Sequence, residues 1–550
     1  MPQATMSRPS RSSRHARALM SRACVSLALL AGAAGSACAT DWKEAIDATT
    51  HHDEPLAPDG SVLPSDLNFN PAFGNSGMAA FSPDTTNDYE QGGLRVFPFK
   101  TLDVTGGTFP IFYVKERGYY VAGRRKHYDT GLYDALIGKV KLDGTLDTTF
   151  GAGGWQAITT PPITSINDAA FDAATGSMYF VGSWALGSNA EDFAVRCRNI
   201  TTGNPCDGVG SLTSIAFNLG GSNRDVAQRV IFEPGSGSTP PYLYVAGFAD
   251  SANGWRIAVV KLNATTGERV TAFGPNGQRV YMPPAGAQTG SDVNVFSMAL
   301  APATAPGGSR LYLAGNVKIS SDGVDYNGYV LALDPTTGNG ITAFGSWQYI
   351  TYELDNPGYR KDAVTAITVQ RNGKLALAGW SDGLIAPDQR MILGRLNTDG
   401  SKDLGFCDNK GVCRRNDATG SPVDEPTAIL ERPDNGDLVV ALKRNQTSGD
   451  YHPAQFVLQY GASGNVLHAQ QVIDFPASSG QAWWSRPAGI ALDTTPMVFD
   501  TIPNAKRNLV VAGTRKWAIV DILRNFDVTL SHLLENDSIF ADTFGGAHGD

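Results

Sequence analysis

Basic side chains gather at three places along the chain, Arg124-Arg125-Lys126-His127, Lys443-Arg444 and Thr514-Arg515-Lys516, with Arg486 standing apart. Arginine offers a planar fork that meets a carboxylate, sulfate or phosphate with two parallel hydrogen bonds, so grouped copies point to an anionic ligand. Trp184 and Trp380 occupy the corresponding places of two other repeats, where an indole face can stack on a sugar ring. A second set is acidic: Asp168, Asp225, Asp292, Asp362 and Asp424 each lead into an apolar run. Carboxylates ringed in this way suit calcium, a hard cation bound through oxygen, if a nearby arginine relieves their repulsion. His127, Tyr128, Arg125 and Asp168 also form a conceivable acid–base group of the kind used in glycan cleavage. The plainer reading is that each Asp caps a turn through backbone N–H groups while the Arg and Lys are solvated or paired with those Asp.

No familiar catalytic phrase accompanies these residues. The chain has no G-x-S-x-G elbow, H-E-x-x-H pair, phosphate-binding glycine loop or calcium-binding nonapeptide array. Of its 8 histidines, only His127, His452 and His468 fall between the two ends of the chain, which argues against a zinc or copper centre built on His.

The elements that must position these residues are written in a repeat. Seven apolar runs climb into a small-residue stop, from Tyr120-Val121-Ala122-Gly123 to Val510-Val511-Ala512-Gly513. The stops, at 123, 182, 247, 315, 379, 442 and 513, are 59, 65, 68, 64, 63 and 71 residues apart. The fullest copy alternates over Val364, Ala366 and Thr368, turns at Arg371-Asn372-Gly373, and continues with strands at 374–378 and 391–396. Four short antiparallel strands per repeat predict one blade of a β-propeller, each face covered by the next blade. The expected fold is all-β, a seven-bladed propeller of four-stranded blades. In that ring the basic loops of blades six, seven and one form one arc, facing an acidic arc from blades two to five. The positions equivalent to those Asp fall near Arg486 in blade seven and among glycines around Gly107 in blade one.

A second phrase follows the third strand of several repeats: Leu146-Asp147-Thr148-Thr149-Phe150-Gly151-Ala152-Gly153-Gly154, Thr271-Ala272-Phe273-Gly274, Thr342-Ala343-Phe344-Gly345, and Asp403-Leu404-Gly405-Phe406-Cys407 with Cys407 in the glycine's place. Its Phe is expected to plug the gap between blades and its Gly to take a positive φ. The phrase also precedes the first repeat, ending in Ala72-Phe73-Gly74. The last repeat has strands expected near 488–492, 508–512 and 517–523 but no clear fourth. An N-terminal strand completing the last blade would remove the exposed sheet edge. On Asn372-Gly373-Lys374-Leu375 and Leu146 to Gly154, the chain resembles the bacterial delta-60 repeat proteins. The resemblance implies a propeller-like fold and no activity, and so supplies no catalytic residues.

Residues 1–39 read as a secretory signal, with Arg8, Arg11, Arg14, Arg17 and Arg22 ahead of an uncharged stretch ending Ala37-Cys38-Ala39. A lipid anchor on Cys38 is the alternative, though Gly35 stands where Leu is usual. Residues 40–65 form a polar leader, 66–525 the propeller, and 526–550 a tail. Removing the signal's five arginines takes the net charge from -9 to -14 (-9 minus 5), which argues against nucleic acid. No segment is apolar for long enough to span a membrane as a helix. Cys197 with Cys206 and Cys407 with Cys413 form close pairs, read as local disulfides of a periplasmic or extracellular protein. Zinc held by the four thiols is the competing reading. The expected function is a secreted, monomeric binding or interaction module for an anionic glycan or cell-envelope polymer, without cofactor unless calcium. The alternative is a polysaccharide lyase or glycoside hydrolase on the same face.

Overall fold

The computed structural model describes residues between 67 and 535, with gaps that include 105–111, 283–291, 351–360, 415–422, 446–452, 494–507 and 517–525. The signal, the leader, Gly107 and the chain end beyond 535 lie outside the described residues. What is described is all-β, with short 3-10 turns and no α-helix. The strands form antiparallel quartets in chain order. The first is Tyr89–Val104, Phe112–His127, Tyr133–Lys141 and Trp155–Ile163; the second is Ser165–Asp172, Ser177–Ala185, Glu191–Asn199 and Thr213–Ile215. The third comprises Gly220–Glu233, Tyr242–Ser251, Arg256–Asn263 and Gln278–Tyr281. The fourth, fifth and sixth open on Val293–Ala301, Asp362–Val369 and Asp424–Glu431.

The last sheet contains Trp484–Asp493, Asn508–Lys516 and Phe526–Glu535, and on Phe526–Glu535 it receives the N-terminal strands Leu67–Phe69 and Met78–Phe81. Its third strand is therefore Phe526–Glu535, not the expected 517–523, and the sheet runs ten residues past the boundary at 525. Val528 and Leu530 alternate with Thr529 and Ser531, the period of a strand, and all four are fully buried, so both faces of the strand are covered. The first quartet also differs: its first strand is Tyr89–Val104, upstream of the glycines near 107 that the sequence suggested.

Each first strand packs against the first strand of the next quartet, and Tyr89–Val104 packs against both Ser165–Asp172 and Trp484–Asp493. The apolar cores lie between successive sheets. Val245, Val260 and Leu243 join Val195 and Phe193, for example, while Phe73, Val96 and Val121 join Val510 and Leu530. All seven first strands carry a bulge at the same register, such as Gly93/Arg95, Ile166/Asp168, Ala227/Arg229 and Pro487/Gly489. A bulge adds one residue, bends the strand and re-aims the side chains that follow.

The recurring phrase acts as a joint between sheets. Phe73, Phe273, Phe344 and Phe406 are fully buried, while Phe150 is half-buried. Each of the four buried rings or its carbonyl meets a turn glycine of the following sheet: Gly144, Gly338, Gly400 and Gly464 respectively. The phrase glycines Gly74, Gly151 and Gly345 have φ of +53°, +56° and +75°, and Cys407 keeps the same conformation at +54°. A methyl group on Gly400, whose φ is +81°, would stand 2.4 Å from the Phe344 carbonyl oxygen. Gly400→Ala should therefore cost about 2–4 kcal/mol, from backbone strain plus displacement of the joint. Chemical denaturation checks this, and a midpoint equal to wild type would show that the turn does not touch its neighbour.

Candidate functional site

The first strands border one cavity of about 820 Å³. The bulge sorts their residues into levels. Just past it stand Arg95, Asp168 and Arg229 in the first three quartets, but Ser297, Ala366, Ala428 and Gly489 in the other four. Long charged side chains on one side thus face small ones on the other. The next residues, among them Met298, Ile367, Ile429 and Ile490, line an apolar level below.

Polar groups around the cavity tie each sheet to the next. Arg95 grips Asp168 with two bonds, of 2.6 and 3.1 Å, and Asp168 Oδ2 also accepts the Val230 N–H at 3.2 Å. Asn167 donates to the Ala227 carbonyl at 2.8 Å, and Gln228 Oε1 accepts the Val295 N–H at 2.8 Å. Arg124 donates to the Ile166 carbonyl at 2.7 Å. Arg229 donates to the carbonyls of Phe296 at 2.5 Å and Gln228 at 2.6 Å. The Asp168 carboxylate raises the pKa of Arg95. Burial does most to lower Arg229, to about 10. The charges of Arg95, Arg486 and Arg124 lower it further, against the pull of Asp168.

Five arginines line the cavity (Arg95, Arg124, Arg224, Arg229, Arg486), with three acids (Asp168, Glu191, Glu425). Asp168 is held by Arg95, Glu191 by Arg224 at 3.6 Å, and Glu425 by Lys443 at 3.0 Å. Among the described residues no carboxylate pairs with Arg124, Arg229 or Arg486. Positive charge is thus concentrated at one point of an acidic chain.

The remaining residues singled out by sequence go elsewhere. Arg125 and His127 both bond Asp134, at 2.7 and 2.8 Å, and Lys126 lies over the Tyr133 ring. Tyr128 is half-buried. Asp168 bonds Arg95, and none of His127, Tyr128 and Arg125 lines the cavity that Asp168 faces. Arg444 forms a buried two-bond pair with Asp424 at 2.6 and 3.1 Å, so the plainer pairing reading holds there. Arg515 lies opposite Ser485, and Lys516 ends the same strand. Trp380 lines the cavity, whereas Trp184 packs on the core between the first two quartets.

The five aspartates do not make one ring. Asp225, Asp362 and Asp424 share a register position, opposite Ala249, Ser381 and Arg444. Asp292 precedes its strand, accepting a 3.4 Å bond from the Tyr326 hydroxyl, and Asp168 lies beyond the bulge. Among the described residues no group of three or more His, Cys, Asp or Glu side chains is placed to hold a metal ion. The cysteines form the disulfides Cys197–Cys206 and Cys407–Cys413, so the thiols are not free to hold zinc.

Asp225 lacks the arginine that its counterpart Asp424 has. Buried at 2 % exposure, it accepts the Phe217 N–H at 2.7 Å and is bonded by the Asp250 backbone, but meets no cation among the described residues. Burial above all, with Asp192 and Asp250 nearby, raises its pKa to about 6, from 3.8. A raised carboxylate pKa means that folding favours the protonated form. The penalty is absent below about pH 4, grows as pH rises toward 6 and is complete above it. Asp225→Asn should accordingly stabilise the protein by about 2 kcal/mol at pH 7.5 and leave it unchanged at pH 4. Melting curves at both pH values check the sign, and equal effects at the two would contradict it.

Arg95 and Arg229 were not among the residues picked out by sequence. The signal available was a charge at a position where four other copies carry Ser, Ala or Gly.

The family described as "Domain of unknown function (DUF5122) beta-propeller" matches residues 370–406, from the turn at Arg371-Asn372-Gly373 to the joint residue Phe406, and fits a propeller-like repeat. A search of curated proteins returns no match. Among solved structures, the chain is similar to the quinohemoprotein alcohol dehydrogenase of Comamonas testosteroni, at 11% identity over 82% of this chain and 76% of that one, with a TM-score of 0.40. It is similar to the β-propeller domain of the Trilobed protease of Pyrococcus furiosus, at 11% identity over 80% and 98%, with a TM-score of 0.36. It is also similar to an α-L-arabinanase of Penicillium chrysogenum complexed with arabinobiose, at 12% identity over 64% and 89%, with a TM-score of 0.35. None of these supplies a site residue to this chain.

Proposed function

We propose that this chain is a secreted, seven-bladed propeller of the delta-60 kind, and that its central channel binds an anionic ligand, a glycan or cell-envelope polymer. Ring closure is supported by the pairing of Leu67–Phe69 and Met78–Phe81 with Phe526–Glu535, and by the packing of Tyr89–Val104 on both of its neighbours. Secretion is supported by the sequence of residues 1–39 and by two disulfides, which persist in oxidising compartments. No described helix is long and apolar enough to cross a membrane.

The observation that carries the function is the set Arg124, Arg229 and Arg486, three cations facing one cavity without a carboxylate partner among the described residues. Of the three, Arg229 is disfavoured in its charged form, by burial first and then by its like-charged neighbours, and a bound anion would relieve that. A binding role is favoured over cleavage because the one His–carboxylate pair of the first two blades among the described residues, His127 with Asp134, lies off the cavity wall. The test is a binding screen of the secreted protein against anionic and neutral polysaccharides. Retention on anionic polymers that weakens with added salt supports the proposal. Equal retention on neutral polymers, or none on either, overturns it.

A further inference from the structure

The channel also restricts what kind of anion it suits. Several of its hydroxyl and amide side chains are already engaged, while the Thr164 hydroxyl is buried in the lining without a hydrogen-bond partner. Ser297 Oγ accepts the Ile367 N–H at 3.1 Å, and Thr365 and Thr427 donate to the carbonyls of Ala378 and Ala441. Asn167 and Gln228 are held in the bonds between sheets. The cationic side chains that face the cavity without a carboxylate are guanidinium groups, which recognise charge and not the hydroxyl pattern of a neutral sugar. They also reach the cavity from different sheets: Arg124 from the first, Arg229 from the third and Arg486 from the last.

A carboxylate is planar and can be satisfied by one such fork, as Asp168 is by Arg95. A tetrahedral group with three terminal oxygens accepts donors from three directions, and two negative charges answer a surplus of three positive ones more nearly than a single charge does. The facing wall offers space at this level, because Ala366 and Ala428 stand where Arg95 and Arg229 stand opposite, and its one lining acid, Glu425, is paired with Lys443.

Resting on the reading of the channel as an anion site, we infer that the group it recognises is a phosphoryl group, as in a phosphorylated sugar or a phosphodiester-linked envelope polymer cut to its monoester end, in preference to a sugar carboxylate. The structure thus places the specificity of the module in the charge and shape of the anion.

The experiment is calorimetric titration of the mature protein at low salt and pH 7.5 with glucose 6-phosphate, glucuronate and glucose. Glucose 6-phosphate is expected to bind at least about tenfold more tightly than glucuronate, with glucose silent, since one additional charge-assisted hydrogen bond is worth about that factor. Arg229→Gln together with Arg486→Gln should remove the preference. Arg371→Gln, an exposed position beside Glu431, should preserve it. Glucuronate binding as tightly as the phosphate overturns the phosphoryl assignment while leaving the anion site standing. Silence from both anions overturns the site as well. Tight phosphate binding that survives the double substitution places the ligand elsewhere and overturns the assignment.

Discussion

Phe73→Ala is expected to destabilise the protein by about 3–5 kcal/mol, as large as any single core truncation. Phe73 belongs to the short N-terminal segment, yet it is fully buried, meets Tyr119 edge-on at 6.0 Å, and sits in the core shared by the first and last sheets. Gly74 N–H donates to the Asp143 carbonyl at 2.6 Å, so the same turn also anchors the first quartet. Truncation therefore removes the joint beside the pairing of Leu67–Phe69 and Met78–Phe81 with Phe526–Glu535. Loss of a joint elsewhere, as in Phe344→Ala, should cost a similar amount but leave the ends paired. Limited proteolysis separates the two: only the Phe73 variant should be cut early between residues 67 and 81. If it melts with wild type and resists the protease, the N-terminal strands are not part of the cooperative fold.

The double substitution Arg229→Gln, Arg486→Gln is expected to weaken anion binding at least 100-fold, because each charged hydrogen bond lost is worth about 1.5–3 kcal/mol. The same change should leave the unliganded melting temperature equal to wild type or higher. Arg229 is half-buried among like charges, and the cost of holding its ionised form there offsets the two carbonyl bonds it makes to Phe296 and Gln228. Arg486 is exposed and lines the same cavity. Lower affinity with undiminished stability is what a binding residue gives and a structural one does not. A fall in stability that accounts for the lost affinity would contradict the assignment.

The repeat itself was plain in the sequence, because apolar runs ending in small residues must recur wherever sheets pack on both faces. The joints were legible where the phrase recurs: Phe273, Phe344 and Phe406 each stand beside a glycine or its substitute. Two strands were not. Tyr89–Val104 carries Gly92-Gly93 and a charged Arg95, which hide its period, and Phe526–Glu535 follows a more apolar stretch at 517–520 that competes for the same role. The channel was legible only in part. Arg124, Arg486, Asp168 and Trp380 were found from their loops, but the bulge that turns Arg95 and Arg229 into the cavity leaves no mark in a single sequence. Cross-strand register was equally hidden, and it is register that sets Arg444 opposite Asp424 and takes both out of the ligand's reach.

The measurement that bears most directly on the account is a crystal structure of the mature protein grown with the tightest-binding anion from the titrations. The account predicts the anionic group inside the channel, with its oxygens within about 3.5 Å of the guanidinium nitrogens of Arg229 and Arg486. An anion seated instead on the outer loops, against Arg125 or Lys443, with the channel unchanged, would contradict it.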